Sequence, residues 1–266
     1  MGRVHASKLR SQLVAVIDPA GGPDDLPWAD VVPDDIDAVV VATPAGQHFE
    51  VALPLLQRGV PTLVEKPLAA DLVQARALAR FSGLCVNHIE RFNPALAALP
   101  NNVHHISAHR MAPFGPRGTD VDVVLDLMIH DLDLVLRLLG PVHEVRAVGL
   151  SLESDRIDHA EVWLEAERGV ASLVASRVAP GPARVLEVTG DEGRRRLDLA
   201  TKEAWQLVAG KPPRPLGLHP GDALDALHLA FLTAVAHHTP MPVPGADALA
   251  AMELAARVSD AIDRRA

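Results

Sequence analysis

Apolar positions in the first 90 residues come in short continuous runs, at 13–17, 38–42, 62–64 and 84–86, separated by stretches of a different rhythm. Runs of this length without alternation suit strands covered on both faces, whereas 47–57 and 72–81 repeat their apolar positions at three and four residues, as helices do. Strand-like and helical segments in alternation predict a parallel sheet flanked by helices. The stretch 18–36 is compressed and rich in Pro, Gly and Asp, leaving room only for a short strand near 30–32 and for an irregular sheet there.

Beyond residue 100 the rhythm changes. Strand patterns at 103–110, 142–150, 160–166, 170–178, 185–189 and 195–199 follow one another, with turns supplied by Gly169, Pro180-Gly181-Pro182 and 190–193. Strands in succession without intervening helices predict an open, mostly antiparallel sheet. Two helices, 222–238 and 246–264, close the chain on either side of the breaker Pro240-Met-Pro-Val-Pro-Gly245. A nineteen-residue helix is predicted over 121–139, its core face formed by Val121, Val124, Leu125, Met128, Leu132, Val135, Leu136 and Leu139.

Composition narrows the function classes. A formal charge of −9 gives no basic footprint for nucleic acid, and Arg194-Arg195-Arg196 is too short to supply one. The single cysteine, Cys85, lies in an apolar run and reads as a small buried hydrophobe in a reducing compartment. The opening residues lack a signal-peptide core and no apolar run reaches membrane-spanning length, so a cytoplasmic protein without a membrane partner is expected.

The candidate chemistry is concentrated at two places. Four lysines stand against twenty-one arginines, and one of the four, Lys66, follows an apolar run in Pro61-Thr-Leu-Val-Glu65-Lys66-Pro67. A lysine kept where arginine would supply charge equally well points to acid/base work or a compact point charge. On the predicted helix, Asp122, Asp126, His130, Asp133 and Arg137 share a second face. Asp122 and Arg137 read as solvated, while Asp126 and His130, one turn apart, are candidates for a cleft. Imidazole is suited to removing a hydroxyl proton near neutral pH, with a carboxylate orienting the ring. A metal site is the weaker alternative, because no third ligand with matching spacing lies nearby. The pairs His104-His105 and His237-His238 read as ordinary surface histidines.

Ala42-Thr43-Pro44 with His48, Glu65-Lys66-Pro67, and Asp126-x-x-x-His130 together resemble the Gfo/Idh/MocA oxidoreductase family, and the resemblance extends over the whole chain. It implies a Rossmann-like dinucleotide-binding domain over 1–100 and a substrate and oligomerisation domain over 101–266, the latter pairing copies into a homo-oligomer through its open sheet. It also implies NAD as cofactor, Lys66 and His130 as catalytic with Asp126 assisting, and Gly2, His5, Thr43, Pro44, His48, Glu65 and Lys66 itself beside the cofactor. Asp18 stands where such domains place an acid on the adenosine ribose, which favours NAD over NADP. Within the family, His88-Ile-Glu-Arg-Phe-Asn-Pro94 and the stretch from Pro116 to Asp131 are similar to those of members acting on carbon 3 of UDP-N-acetylglucosamine. Arg91, Arg110 and Arg117 are then candidates for the substrate diphosphate.

The family's opening glycine turn, G-x-G-x-x-G-x-x-H, is matched only by Gly2 and His5, so the Rossmann-like sheet is expected to lack its first strand and the natural protein to begin upstream of Met1. The expected activity is NAD-dependent oxidation of a ring hydroxyl on a sugar nucleotide. A polyol or free-sugar dehydrogenase on the same fold is the nearest alternative. A binding or scaffold protein that no longer takes dinucleotide is a third reading, opposed by the intact Lys66, Asp126 and His130.

Overall fold

The computed structural model describes residues 1–18, 32–115, 121–218 and 220–263; Arg117 and most of the possible strand at 30–32 lie outside them. The chain divides into two compact units, Met1–Asn87 with Leu224–Ala246, and His88–Ala223 with Asp247–Ala266.

In the first unit, strands β1 (Val39–Val41), β2 (Thr62–Val64) and β3 (Leu84–Val86) form a parallel sheet in the order β1-β2-β3. Helix α1 (Gly2–Lys8) precedes them, and α2 (His48–Gln57) and α3 (Leu72–Leu78) provide the crossovers. All three residues of both β2 and β3 are buried, which is why the sequence shows no polar alternation there. Asp71 caps α3 by accepting from the Gln74 amide at 2.9 Å. The apolar run at 13–17 does not become a ladder strand: it makes a single bridge at Val16, with Val14 and Ile17 exposed.

The two units are not the continuous spans 1–100 and 101–266. Helix α5 (Ala223–His237) and the loop after it return to the first unit, where Val86 donates to the Val243 carbonyl at 3.0 Å and Cys85 bridges Pro244. A Cβ on Gly245 would meet Leu84 Cδ2 at 2.6 Å and Ala79 Cα at 2.8 Å, so the loop lies directly on β3 and α3.

The second unit is an eight-stranded sheet in the order β11-β10-β9-β8-β4-β7-β6-β5. In chain order these are β4 (His105–Met111), β5 (Val142–Leu150), β6 (His159–Ala166), β7 (Gly169–Ser176), β8 (Ala183–Gly190), β9 (Gly193–Asp198), β10 (Glu203–Leu207) and β11 (Arg214–Leu218). Every pairing is antiparallel except β4 with β7, where His105 pairs with Val170 and Met111 with Ser176. Gly169, at φ +151°, permits the close approach at the start of that pairing, since a Cβ there would sit 2.0 Å from the His104 carbonyl oxygen. Helix α4 (Ile129–Leu139) ends at Gly140 and packs on the sheet. Its Leu132, Val135 and Leu139 join Ile106, Leu164, Leu173 and Leu186 in one buried core, to which α6 (Gly245–Asp263) adds Leu254 and Val258. No helix among the described residues is long and apolar enough to cross a membrane.

A buried carboxylate ties down the β5–β6 connection. Asp158 Oδ2 accepts the amides of Leu152, Glu153 and Ser154 at 2.7–2.9 Å, while Oδ1 accepts the Ser154 hydroxyl at 2.6 Å and Arg177 Nε at 2.8 Å. Burial alone would raise its pKa, but the Ser154 hydroxyl, the two amides of Leu152 and Glu153 and Arg177 outweigh burial and hold it well below the ordinary aspartate value. A depressed carboxylate contributes stability that is complete above its unfolded pKa, about 3.9, and is lost as pH falls through the lower folded value. Asp158→Asn is therefore expected to cost about 2–3 kcal/mol at pH 7, with the deficit narrowing progressively below about pH 4. Melting temperatures of both proteins across pH check this; a deficit unchanged from neutral to strongly acid pH would contradict it.

Candidate active site

In the first unit, the side chains singled out by sequence gather at the carboxyl ends of the parallel strands, where open α/β sheets bind their ligands. Thr43 and Pro44 follow β1, Glu65 and Lys66 follow β2, and Asn87 follows β3. His48, at the first position of α2, is buried, with Nδ1 2.8 Å from the Pro67 carbonyl and Nε2 2.9 Å from that of Thr43. It thus straps the Thr43 turn to the Lys66-Pro67 turn, whose peptide bond is cis. Its ring nitrogens are engaged by protein carbonyls, so its effect on a cofactor passes through those two turns.

His5 is likewise turned inward: Nε2 lies 2.7 Å from Glu65 Oε1 and Nδ1 lies 2.8 Å from His228 Nε2. Asn87 donates to the same Glu65 oxygen at 2.7 Å. Burial would push the Glu65 carboxyl up, but the His5 hydrogen bond and charge, the Asn87 amide and the charge of Lys66 outweigh it and hold the group below the usual glutamate value. Gly2 faces the β1 exit, since a Cβ there would come 3.9 Å from Ala42 Cβ. Asp18 is exposed and precedes residues outside those described.

These positions fit a dinucleotide. The Thr43 hydroxyl oxygen is buried yet finds no hydrogen-bond partner among the described residues, in the turn where a strand end meets a ligand. A buried hydroxyl is costly to leave unpaired, and a polar group of a bound cofactor would satisfy it.

In the second unit, the helical run carrying Asp126 and His130 differs from the uninterrupted helix predicted over 121–139. Val124–Met128 forms a π-type turn that continues into α4. Its wider turn shifts the phase of the helix beyond it. Leu125 and Leu136, expected in the core, are only half-buried, while Asp131 and Asp133 are 4% and 1% exposed. Asp122 is not a free surface carboxylate: it accepts the Leu125 amide at 2.8 Å and the Ser259 hydroxyl at 3.1 Å, tying down the start of this run. Asp126 and His130 are both half-buried.

Behind His130 lies a polar framework. Its ring meets that of His88 edge-on, with centroids 6.4 Å apart, and His88 Nδ1 lies 3.9 Å from Asp133 Oδ2. Arg91 grips Asp133 with Nε at 2.8 Å and a terminal nitrogen at 2.6 Å, and reaches Asp247 at 2.7 Å with the other. Arg110 does the same to Asp131, with two bonds of 2.8 Å, and donates to Glu90 at 2.8 Å. Burial disfavours its charge, but Asp131 and Glu90 more than compensate and hold the guanidinium firmly protonated. The expected diphosphate contact of Arg91 and Arg110 is thus replaced by buried carboxylates, which occupy the guanidinium forks that phosphate would need.

Sequence reasoning missed His228, Glu90 and Asp131 as partners. The segments His88 to Pro94 and Pro116 to Asp131, through their family resemblance, contain Glu90 and Asp131, whereas no motif pointed to His228.

Residues 23–82 match the family model "Oxidoreductase family, NAD-binding Rossmann fold", and residues 102–196 match "GFO/IDH/MocA C-terminal domain". The chain is 36% identical to the UDP-N-acetylglucosamine 3-dehydrogenase of Acidithiobacillus ferrooxidans, over 99% of this chain and 94% of that one. A solved structure of that enzyme aligns with a TM-score of 0.89 at 32% identity, covering 98% of this chain and 94% of its own. Inositol 2-dehydrogenase 4 of Saccharopolyspora erythraea is 31% identical over 56% of this chain and 54% of its own length.

Proposed function

Because the chain belongs to the Gfo/Idh/MocA family of NAD-binding oxidoreductases, we propose that it oxidises the carbon-3 hydroxyl of UDP-N-acetylglucosamine. The observation that carries this reading is the similarity to a UDP-N-acetylglucosamine 3-dehydrogenase along nearly the full length of both chains. Inositol 2-dehydrogenase 4 is less similar, at 31% identity against 36% and over a shorter stretch, which makes a polyol the second choice of substrate.

In the proposed step His130 takes the proton of the reacting hydroxyl, and Asp126, on the turn before it, favours the resulting imidazolium. Lys66 stabilises the developing alkoxide as a compact cation. NAD, when bound, supplies the acceptor for the hydride. Thr43 and Glu65 contribute polar groups to the cofactor site, and His48 and His5 fix the turns that carry them. The framework of His88, Asp133 and Arg91 limits the freedom of the His130 ring, so that little reorganisation is needed when the proton moves.

UDP-N-acetylglucosamine with NAD is expected to yield NADH absorbance, and free N-acetylglucosamine to react at least about 100-fold less efficiently in kcat/KM, because binding energy from the nucleotide is lost. Faster turnover of inositol or a free sugar than of any UDP-sugar would overturn the substrate assignment.

A further inference from the structure

Two histidines in the first unit take no part in the proposed proton and hydride transfer. His5, on α1, and His228, on α5, are 3% and 4% exposed, and their rings lie 5.0 Å apart between centroids. They continue the Glu65 carboxylate into a buried chain: Glu65 Oε1 to His5 Nε2 at 2.7 Å, then His5 Nδ1 to His228 Nε2 at 2.8 Å. We propose that His5 and His228 are positioning residues for Lys66, acting as a pair that holds one exchangeable proton and passes its charge to Glu65.

The protonation pattern is set by the contacts. The carboxylate can only accept, so His5 Nε2 carries hydrogen, and a neutral His5 must then receive at Nδ1 a hydrogen from His228 Nε2. When the pair gains a proton at His228 Nδ1, the shared hydrogen moves: the bond at His228 Nε2 breaks and one at His5 Nδ1 forms. One proton is taken up, and the positive charge comes to rest on His5, against Glu65. Heavy atoms need not shift, because the 2.8 Å separation serves either arrangement.

The consequence reaches Lys66 through its neighbour in sequence. Glu65 is an anion adjoining the Lys66 charge, and an imidazolium at 2.7 Å competes for it at short range, where the carboxylate is buried. Around the pair, Asn87 is a neutral donor to Glu65, and Lys8 pairs with Asp225 at 2.9 Å across the same two helices. With the pair neutral, His5 and Asn87 are uncharged donors to Glu65 and its charge acts on Lys66; with the pair charged, that charge is shared with an imidazolium. The inference rests on Lys66 handling the substrate alkoxide, but the state of the pair can be observed without substrate or cofactor.

The test uses the whole protein and two nuclei. Histidine side-chain ¹H–¹⁵N spectra should show hydrogen on Nε2 of both rings at high pH, and one common midpoint on acidification. Lys66, one of only four lysines, should show in its Nζ shift an inflection at that same midpoint. His228→Gln retains a donor toward His5 Nδ1 but cannot relay a proton, and it should abolish the Lys66 inflection. In the active enzyme it should remove the matching inflection in the kcat profile while KM for NAD changes less than about threefold. His5→Gln, which keeps a donor to Glu65, is the second variant should the first fail to fold, and it should abolish the same inflection. Separate midpoints for the two rings, or a Lys66 response unchanged in whichever variant folds, overturns the proposal. If the spectra agree but no UDP-sugar is turned over, it is the substrate reading that fails and the pair that stands.

Discussion

Replacing Lys66 by Met or His130 by Ala is expected to lower turnover by about 10²- to 10⁴-fold, the range that general acid–base groups contribute. NAD affinity, followed by quenching of protein fluorescence, should stay within a few-fold, because neither side chain is needed to form the turns after β1 and β2. Those turns are held by His48, bonded to the carbonyls of Thr43 and Pro67, and by Glu65, bonded to His5 and Asn87. Asp126→Asn should have a smaller effect, since it removes the charge that favours the imidazolium while His130 and its framework remain. Turnover within a few-fold of wild type for both Lys66→Met and His130→Ala would sink the assignment of proton-handling roles.

Arg110→Met should cost about 3–5 kcal/mol of stability, read as a shift in the urea midpoint. The guanidinium is buried and joins Glu90 to Asp131; without it two carboxylates face each other out of reach of water. Breaking such a pair from one side is far more damaging than removing it whole. The double variant Arg110→Met with Asp131→Leu should therefore lose less than the sum of its two single changes, and a strictly additive double variant would show that the three groups do not act as a unit. The Glu90 end is anchored independently by Asn93, which donates to Glu90 at 2.9 Å and to the Leu199 carbonyl at 2.8 Å.

The parts of the fold governed by local pattern were legible in the chain. Strands β2, β3 and β5 begin and end where their apolar or alternating runs do, since burial on both faces or on one face leaves its period in the sequence. Strands β10 and β11 left no such trace. Glu203 and Arg214 open them, Gln206 breaks the apolar run of β10, and Pro215 and Gly217 in β11 are residues that usually mark a turn.

For the site, the three motifs carried Thr43, His48, Glu65, Lys66, Asp126 and His130, because each sits in a short contiguous stretch. What a motif cannot show is which distant group meets a side chain. Arg91 and Arg110 looked free for phosphate because Asp133 and Asp131 lie far along the chain from them. His228 sits in a helix so apolar on most sides that one histidine draws no notice, yet it joins, through His5, a chain of hydrogen bonds begun at Glu65. The π-type turn was equally hidden, since a widened turn uses the same residue types as an ordinary one.

The parallel contact of β4 with β7 also bears on how the second unit is made. His105 pairs with Val170 on one side and with Thr189 on the other, so β4 leaves the ribosome well before either neighbour exists. Its inner face carries Ile106 and Ala108, both destined for the core, and its backbone has no hairpin partner to pair with at once. Closing loops of that size before any pairing is rewarded slows folding. The middle of the sheet therefore stays open until β7 and β8 have been made, and through that interval β4 carries its apolar face and its unpaired backbone exposed on the nascent chain.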